Sequence, residues 1–382
     1  MKTNGLLPLF LSQALRSAGV SLLSFFSVVF IFKRSLALTA DLQLAIIFVF
    51  GFDLVLYIFK FIANCWAENL SQSFGLKRQV YFGQILTALT LLAFLLSDRY
   101  FGFIWVAAIF WGLAIGFFWF GRHGLVAKIS CSGRYGRALG WGDILETILL
   151  SAAPFLGGVL ISHFGYPALF LASLAFVILG FGALTPAEEK KTHQDVTLRE
   201  IFKLFLNHKK MFLTYLSQGA IEVFYGTAFI LYVFLIIRQE LVFGSFFSLS
   251  MLSVVLVGFL VGAWTDKKGK AGLIAFGTFF SACLWVGRLM TRVIGALLFF
   301  DILERFLEKT VIMPLEVLSY EKAIDGQSTG RAILFREIAI TSGSILSCFF
   351  LIALILLGGE LRWSFLVAAI ISLLPLLIIK KV

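Results

Sequence analysis

The sequence is poor in charged residues, and this shortage narrows the possible classes of protein. Only 14% of its 382 residues are charged, whereas an ordinary soluble domain has about a quarter. Apolar residues make up 60% of the chain, and its mean hydropathy is +0.97. Soluble enzymes, nucleic-acid-binding domains and disordered scaffolds are therefore poor fits. Because a membrane-spanning helix needs about 20 apolar residues, the chain is predicted to be an all-α integral membrane protein.

Cysteine is also scarce. The four cysteines, Cys65, Cys131, Cys283 and Cys348, lie far apart in the sequence. They lack the paired spacing of a metal site or a redox motif. We therefore expect no metal site and no cofactor.

Acidic residues are fewer than basic ones, with 21 Asp and Glu against 32 Lys and Arg, and the net charge is +11. The basic residues gather in every second connection between apolar runs, and the alternate connections are nearly bare. Loops rich in Lys and Arg face the cytoplasm. We therefore predict two cytoplasmic termini in a bacterial inner membrane or a plasma membrane, with membrane lipids around the chain and no nucleic-acid partner.

The apolar runs predict twelve spans. The longest connection, 186–210, is predicted as a cytoplasmic linker between an N-terminal six-helix bundle, 1–185, and a C-terminal six-helix bundle, 211–382. Apolar residues from Leu198 to Phe205 share one helical face, so this segment is either a short helix on the inner leaflet or a plain linker. The spans lie near residues 6–32, 42–66, 79–97, 102–122, 137–163, 166–185, 211–237, 241–265, 271–290, 293–318, 331–358 and 362–379.

The two predicted bundles share an internal repeat with an offset of 194 residues. The repeat includes loop and polar positions, which carry more information than apolar matches in so hydrophobic a chain. It predicts two similar bundles in parallel orientation, a recurring design of transporters. The matched positions are Gly75 with Gly269, Lys128 with Lys322, Gly136–Ala138 with Gly330–Ala332, and Asp143 with Glu337.

The connection after the eighth span carries a motif that resembles the cytoplasmic signature of the major facilitator superfamily. The motif is a glycine, an aspartate four residues later, a basic residue, and then a glycine and another basic residue. The resemblance implies that this element latches the cytoplasmic ends of helices in one transport state. The residues that match are Gly262, Asp266, Lys267, Gly269 and Lys270.

The equivalent connection in the first half departs from this pattern. Gln72 stands at the aspartate position and Ser73 at the basic one, while Glu68 replaces the glycine. Either the latch is weaker in this half or Glu68 supplies the missing carboxylate.

The fifth span carries Pro154, Gly157 and Gly158, which resemble the fifth-helix motif of the same superfamily. Proline kinks a helix, and glycines let two helices approach closely. In the family this element is associated with exporters that exchange a solute for protons, so it slightly favours export here.

The tenth span carries a row of charged residues on one arc of roughly 140 degrees. These residues form either a ladder of ion pairs within the helix or one wall of a cavity. The resemblance implies that spans 1, 4, 7 and 10 line the central cavity, which adds residues on spans 1 and 7. The candidate cavity residues are Arg16, Glu222, Asp301, Glu304, Arg305 and Glu308.

A second set of charged residues lies near the cytoplasmic ends of spans, where gating contacts between the halves are expected. Under the 194-residue offset Arg122 falls on Glu316, so the halves could present opposite charges at equivalent points of a gate. The candidate gate residues are Arg122, Glu316, Arg137, Asp143, Arg331 and Glu337.

These features predict a secondary active transporter that is not an enzyme. Its halves would alternate access to a mid-membrane site, with protons as coupling ion, in a monomer. Export of an amphipathic organic solute is preferred; uptake of a small metabolite or anion, and lipid flipping, remain open. A polytopic membrane transferase using His123 with a carboxylate would explain the charges, but not the repeat or the motif at Asp266.

Overall fold

The computed structural model describes residues 6–129, 135–185, 189, 198–265, 270–324 and 329–381. Side chains are described in these ranges except at 6–7, 127–129, 135–145, 198–202, 254–265, 270, 313, 316–324, 329 and 380–381. Twelve long helical segments follow one another in this part of the chain, and it contains no β-strand. We number them as spans 1 to 12: Leu6–Thr39, Leu42–Phe74, Leu76–Ser97, Phe103–Ile129, Tyr135–Phe164, Tyr166–Ala183, Lys209–Ile237, Glu240–Thr265, Lys270–Met290, Ile294–Ile324, Thr329–Leu356 and Leu361–Ile379.

Ten of these segments are long and apolar enough to cross a membrane in their described residues. The remaining two are span 8, whose described side chains end at Ser253, and span 10, which carries the charged row. The predicted all-α membrane fold is confirmed, with spans 1–6 in an N-terminal bundle and spans 7–12 in a C-terminal bundle. Because the number of spans is even, the first and last described residues lie at one end of the molecule. We call it the terminal end, and the opposite one the distal end.

Local hydrogen bonds fix the bounds of span 2. Asp41 caps its first turn, because its Oδ1 atom accepts hydrogen bonds from the backbone N–H groups of Gln43 at 2.7 Å and Leu44 at 3.1 Å. The span ends at Gly75, which has a φ of +96°. Glycine adopts this conformation without the steric cost of a Cβ atom, so the chain turns sharply there into span 3.

The connection after span 6 is held against the start of span 3. Glu189 accepts hydrogen bonds from the backbone N–H groups of Lys77 at 2.8 Å and Arg78 at 3.2 Å. The Lys77 ammonium group donates to the Thr185 carbonyl at 2.7 Å. A carboxylate at a helix N-terminus is favourable. The group that stabilises this turn therefore comes from the linker.

The linker contains a short helix, Leu198–Asn207, that packs against the C-terminal bundle. The Phe205 ring lies 4.6 Å from the ring of Phe212 on span 7 and 5.1 Å from that of Phe335 on span 11. At Phe205, the apolar face predicted for this segment therefore contacts protein.

The two bundles meet where span 5 packs against span 8 and span 2 packs against span 11. Close approach of spans 5 and 8 depends on glycines from both. A Cβ atom at Gly158 would lie 2.7 Å from the Glu240 carbonyl oxygen, and one at Gly244 would overlap the Pro154 carbonyl. Small residues let the helix backbones touch, as is common between membrane helices.

The distal end is closed by an ion pair and by aromatic packing between the bundles. Lys33, at the end of span 1, pairs with Glu240, at the start of span 8, with 2.6 Å between Nζ and Oε1. Beneath this pair the ring of Phe26 lies 5.6 Å from that of Phe243. These contacts join spans 1 and 8 across the boundary between the bundles.

Candidate functional site

A cavity of about 230 Å³ lies within the C-terminal bundle, in the half of the bundle nearer the terminal end. Its described lining comes from spans 7, 9, 10 and 12. The lining combines hydroxyl, amide and carboxyl groups with aliphatic side chains. The lining residues are Thr214, Ser217, Gln218, Ile221, Glu222, Tyr225, Thr278, Ser281, Glu304, Leu307, Glu308, Val311, Ile312, Leu315, Ser372 and Pro375.

Three carboxyl groups line this cavity, and one of them has an unused oxygen atom. Glu222 and Glu308 are exposed to the cavity, whereas Glu304 is buried. The Ser281 hydroxyl donates a 2.5 Å hydrogen bond to Glu304 Oε1, but Glu304 Oε2 has no hydrogen-bond partner. The hydroxyl of Thr278, in the same wall, has no partner either. Buried polar atoms are normally paired, so both atoms are available to a ligand, and the carboxyl oxygen can also bind a proton.

Tyr225 forms the inner end of the cavity and connects it to buried charges. Its hydroxyl donates to Asp301 Oδ2 at 3.2 Å and accepts from Arg305 Nη2 at 2.5 Å. The Arg305 guanidinium also lies over the Tyr225 ring, 4.6 Å from its centroid. Arg305 and Asp301 are therefore bridged by a tyrosine of span 7.

Asp301 pairs with an arginine of span 9 that the sequence analysis did not single out. Arg288 Nη2 lies 3.1 Å from Asp301 Oδ1, and both side chains are completely buried. The guanidinium sits between two rings, 4.3 Å from the Phe229 centroid and 4.5 Å from that of Trp285. Ser250 donates a further 2.5 Å hydrogen bond to Asp301. This arrangement differs from a ladder within span 10, because the main partner of Asp301 lies on another helix.

Arg16 lies in the N-terminal bundle and is absent from the described lining of the cavity. Its guanidinium carbon is 3.7 Å from the Phe118 ring centroid, and its Nη2 atom is 3.4 Å from Thr87 Oγ1. The structure thus brings together Glu222, Glu304 and Glu308 among the predicted cavity residues, and separates Arg16 from them.

Arg122 belongs to a hydrogen-bonded chain in the same N-terminal bundle. Its Nε atom donates to Gln13 Oε1 at 2.8 Å, and the Gln13 amide in turn donates to Glu146 at 2.5 Å. Ser17 donates to the other oxygen of Glu146, also at 2.5 Å. The chain links spans 1, 4 and 5. The proposed partner of Arg122, Glu316, has a side chain outside the described set.

Spans 2 and 11 exchange polar contacts across the boundary between the bundles. Lys60 Nζ lies 3.8 Å from Glu337 Oε2, and both groups are buried. One turn further along, the Asn64 amide donates to Thr341 Oγ1 at 3.1 Å. Toward the terminal end, the carboxylate of Glu68 lies against Gly330 at the start of span 11.

A third contact between the bundles involves a π-helical segment of span 7, Phe224–Phe229. The Thr227 hydroxyl donates a hydrogen bond to the buried Asp53 carboxylate of span 2. π-Helical turns are rare and occur often at functional sites. Tyr225 belongs to this same segment, so the inner end of the cavity and the contact with Asp53 are two residues apart.

The predicted fifth-helix motif lies at the boundary between spans 5 and 8. Gly158 faces the start of span 8, and Gly157 faces the Phe26 ring of span 1. The backbone N–H of Phe155 donates to Ser248 Oγ of span 8 at 2.7 Å.

Part of the predicted gate lies outside the described residues. Asp266, Lys267 and Gly269 fall in the gap 266–269, and the side chain of Lys270 is not described. Gly262, Arg137 and Asp143 lie in helical segments whose side chains are not described. Arg331 is half-buried at the start of span 11.

Comparison with known proteins gives both a family and a fold. A sequence profile of the Major Facilitator Superfamily matches residues 9–303. No curated protein sequence matches the chain. Among solved structures, a D-xylose–proton symporter is similar with a TM-score of 0.75 and 12% identity, over 98% of this chain and 96% of that one.

Two further structures show the same likeness. A POT family transporter in complex with 5-aminolevulinic acid has a TM-score of 0.72 and 12% identity, over 98% of this chain and 95% of that one. The fucose:proton symporter of E. coli has a TM-score of 0.69 and 13% identity, over 98% and 97%. With its helical architecture and the profile match over more than half of its length, this chain belongs to the major facilitator superfamily of membrane transporters.

Proposed function

We propose that the protein is a proton-coupled secondary transporter that exports an amphipathic organic solute. The observation that carries this proposal is the cavity wall formed by Glu222, Glu304 and Glu308, in which Glu304 keeps an oxygen atom without a partner. A carboxyl group in such a position can bind and release a proton as the cavity changes its access.

A proton can drive transport only if it binds the two access states with different affinity. Glu304 meets this requirement if its surroundings change between the states. The charges of the buried pair Arg288 and Asp301 now act on it. A shift of span 10 relative to span 9 alters the distance from Glu304 to that arginine, and with it the stability of the ionised carboxylate.

The π-helical segment of span 7 provides a route from the cavity to the boundary between the bundles. Tyr225 contacts Asp301 and Arg305, and Thr227 contacts Asp53 on the other bundle. Movement of Tyr225 on solute or proton binding therefore displaces the turn that holds Thr227. In this proposal, the hydrogen bond from Thr227 to Asp53 couples solute binding in the cavity to movement of the N-terminal bundle.

The remaining predicted residues are assigned to closure between the bundles. Glu337 would break its contact with Lys60 when the terminal end opens, and Glu68 would leave the start of span 11. The motif around Asp266 and the pair Arg122 with Glu316 are proposed as further gate elements. Pro154, Gly157 and Gly158 would form the surface on which spans 5 and 8 rock.

The cavity lies toward the terminal end, and the basic connections predict that this end is cytoplasmic. A solute would then enter the cavity from the cytoplasm while the Lys33–Glu240 pair keeps the distal end closed. We propose a monomer with an N-terminal bundle over 1–185, a cytoplasmic linker over 186–210 and a C-terminal bundle over 211–382.

The test uses purified protein in liposomes with an imposed pH gradient and a panel of amines, sugars, peptides and organic anions. Solute flux and a pH-sensitive dye are recorded together. Glu304→Gln is expected to abolish solute-dependent proton movement and leave folding intact, because glutamine keeps the shape but cannot ionise. Glu360→Gln is the matched control, since Glu360 is an exposed carboxylate at the distal end.

The proposal requires a solute whose flux depends on the pH gradient in the unaltered protein and in Glu360→Gln. Full proton-driven flux in both Glu304→Gln and Glu222→Gln would remove these carboxylates from the coupling mechanism.

A further inference from the structure

We infer that the cavity in the C-terminal bundle is a binding site for a small organic cation, an amine with an apolar body. This inference rests on the proposed function of the cavity and specifies the chemistry of its solute. The proposed function names only an amphipathic organic solute, and this inference adds the charge and the size of that solute.

The charge follows from the wall of the cavity. Glu222, Glu304 and Glu308 face it, and none of its described lining residues is Lys, Arg or His. The other polar lining groups are hydroxyls and one amide, which accept hydrogen bonds from an ammonium group as readily as they donate to an anion. An anionic solute would meet only like charge on this wall.

The cations near the cavity are absent from its described lining, although Lys60 and Arg336 lie close enough to act on the charge of Glu222. Arg288 pairs with Asp301, and Arg305 contacts the Tyr225 hydroxyl and ring. Lys60 pairs with Glu337 on the boundary between the bundles. Arg16, the basic cavity residue predicted on span 1, lies in the other bundle.

Two atoms in the wall lack partners, and both suit an ammonium group. Glu304 Oε2 and Thr278 Oγ1 are buried without a hydrogen bond. A protonated amine carries donors and no acceptor, so it can donate a hydrogen bond to either oxygen atom. A hydrogen bond from a charged donor to a carboxylate is also stronger than a neutral one.

The size and shape of the solute follow from the rest of the lining. Ile221, Leu307, Val311, Ile312 and Leu315 supply an aliphatic surface beside the carboxylates. At about 230 Å³ the cavity is smaller than sites for drug-sized ligands, which occupy about 300 Å³ or more. A single ring or a short branched chain with one amine fits this description.

Binding of the cation is expected to displace a proton. If the wall carboxyl group is protonated in the empty state, the ammonium ion replaces that proton as the positive charge beside the oxygen atoms. One cation enters and one proton leaves, so charge is conserved and no covalent bond to carbon changes. This exchange is the elementary step that a proton-driven exporter of cations needs.

Several charged groups act on these carboxyl groups and belong to the same equilibrium. Lys60, Arg336 and Glu337 face Glu222 from spans 2 and 11, and Glu308 faces it from span 10. Arg288 and Asp301 act on Glu304 from spans 9 and 10, together with Glu308. The three carboxyl groups therefore titrate as a coupled set, and the proton belongs to the set and not to one residue.

The experiment is calorimetric titration of the full chain in detergent with three probes of similar shape: phenethylamine, phenethyl alcohol and phenylacetate. Phenethylamine is expected to bind and to release protons, detected as a heat that changes with the ionisation enthalpy of the buffer. Glu304→Gln and Glu308→Gln are each expected to weaken phenethylamine binding at least tenfold. Glu360→Gln is expected to leave it unchanged.

A check of folding distinguishes a variant that has lost the binding site from one that has not folded. Each variant is accepted only if its elution volume and unfolding temperature match those of the unaltered chain. Should Glu304→Gln fail this check, Glu308→Gln and Glu222→Gln decide, because both side chains are exposed to the cavity.

The inference is overturned if phenylacetate binds more tightly than phenethylamine or if phenethylamine does not bind at all. It is also overturned if folded Glu304→Gln binds phenethylamine normally, or if both Glu308→Gln and Glu222→Gln do. Proton-driven flux of a sugar or an anion in the liposome assay, together with absent amine binding, would reject the cation site and leave proton-coupled transport standing. Amine binding without any pH-dependent flux would support the site and reject the transport mechanism.

Discussion

Arg288 is a completely buried arginine whose charge is balanced by one carboxylate and two aromatic rings. A buried charge left without its partner costs several kcal/mol, whereas removal of both charges is often tolerated. The stability of the C-terminal bundle should therefore depend on Arg288 and Asp301 as a pair.

Arg288→Gln and Asp301→Asn are each expected to destabilise the protein by about 3 kcal/mol, because each leaves one buried charge unpaired. The double variant should lose less than the sum of the two. Thermal unfolding in detergent, followed by intrinsic fluorescence, measures the three variants.

The exposed ion pair of Arg292 with Glu360, 3.3 Å apart, is the control for a second set of two single variants and one double variant. Its single variants should change stability by less than about 1 kcal/mol, since solvent-exposed ion pairs contribute little. Equal losses at the two pairs would show that burial does not make the Arg288 pair important.

The row of charges on span 10 was recognised from helical periodicity, and two of its members, Glu304 and Glu308, line the cavity of the C-terminal bundle. The described lining of this cavity comes from spans 7, 9, 10 and 12, which differs from the predicted central cavity of spans 1, 4, 7 and 10. Asp301 and Arg305 are also deep in the bundle, but their partners could not be read from the sequence. Tyr225 and Arg288 lie on other helices, and their contacts depend on how spans 7, 9 and 10 are rotated against each other. An arginine near the end of an apolar run gives the same pattern whether it is buried or at the membrane surface.

At the scale of the helix, spans 5 and 8 are fixed by contacts between their backbones. Gly158 and Gly244 stand where a side chain would strike the neighbouring main chain. Such contacts leave no flexible group to move aside. The crossing of these two helices is therefore more sensitive to a single methyl group than a contact between side chains.

Gly244→Ala is expected to lower stability by about 1 to 3 kcal/mol, because its Cβ atom overlaps the Pro154 carbonyl. Gly182→Ala in span 6 is the control, since a Cβ atom there meets nothing within 4 Å. Unfolding temperatures of the two variants in the same detergent decide the matter. Indistinguishable temperatures would mean that spans 5 and 8 separate at little cost.

The positions of the twelve helices were largely predictable, because runs of about 20 apolar residues bounded by charged connections have few other structures available. The π-helical segment at Phe224–Phe229 could not be predicted from the sequence. Its sequence is apolar and aromatic like the rest of span 7, and one extra residue in a turn leaves no compositional mark. The contact of Lys60 with Glu337 was likewise hidden, although Glu337 was predicted to lie close to a gate.

At the scale of the whole molecule, the charge of the connections determines which end faces the cytoplasm. The linker lies at the terminal end, and the connection between spans 11 and 12 lies at the distal end. Loops rich in Lys and Arg are retained in the cytoplasm. The two connections should therefore differ in their access to reagents outside the cell.

In a chain whose four cysteines are replaced by serine, Leu357→Cys is expected to react with a membrane-impermeant maleimide in intact cells. Asn207→Cys should react only after the membrane is permeabilised. Both positions are exposed in the structure. The opposite labelling pattern would invert the predicted orientation, and with it the direction from which the cavity fills.

The cavity draws its described lining from one bundle, while the contacts that close the molecule require both. Substitutions at positions such as Ile221, Val311 or Ile312 can therefore change which solute is accepted without touching the glycine contacts of spans 5 and 8. Related proteins can therefore evolve different solute specificities through a few mutations in the C-terminal bundle, while the contacts between the bundles stay unchanged. In homologues that transport different solutes, the amino-acid sequence should then vary most around the C-terminal cavity and least at the boundary between the bundles.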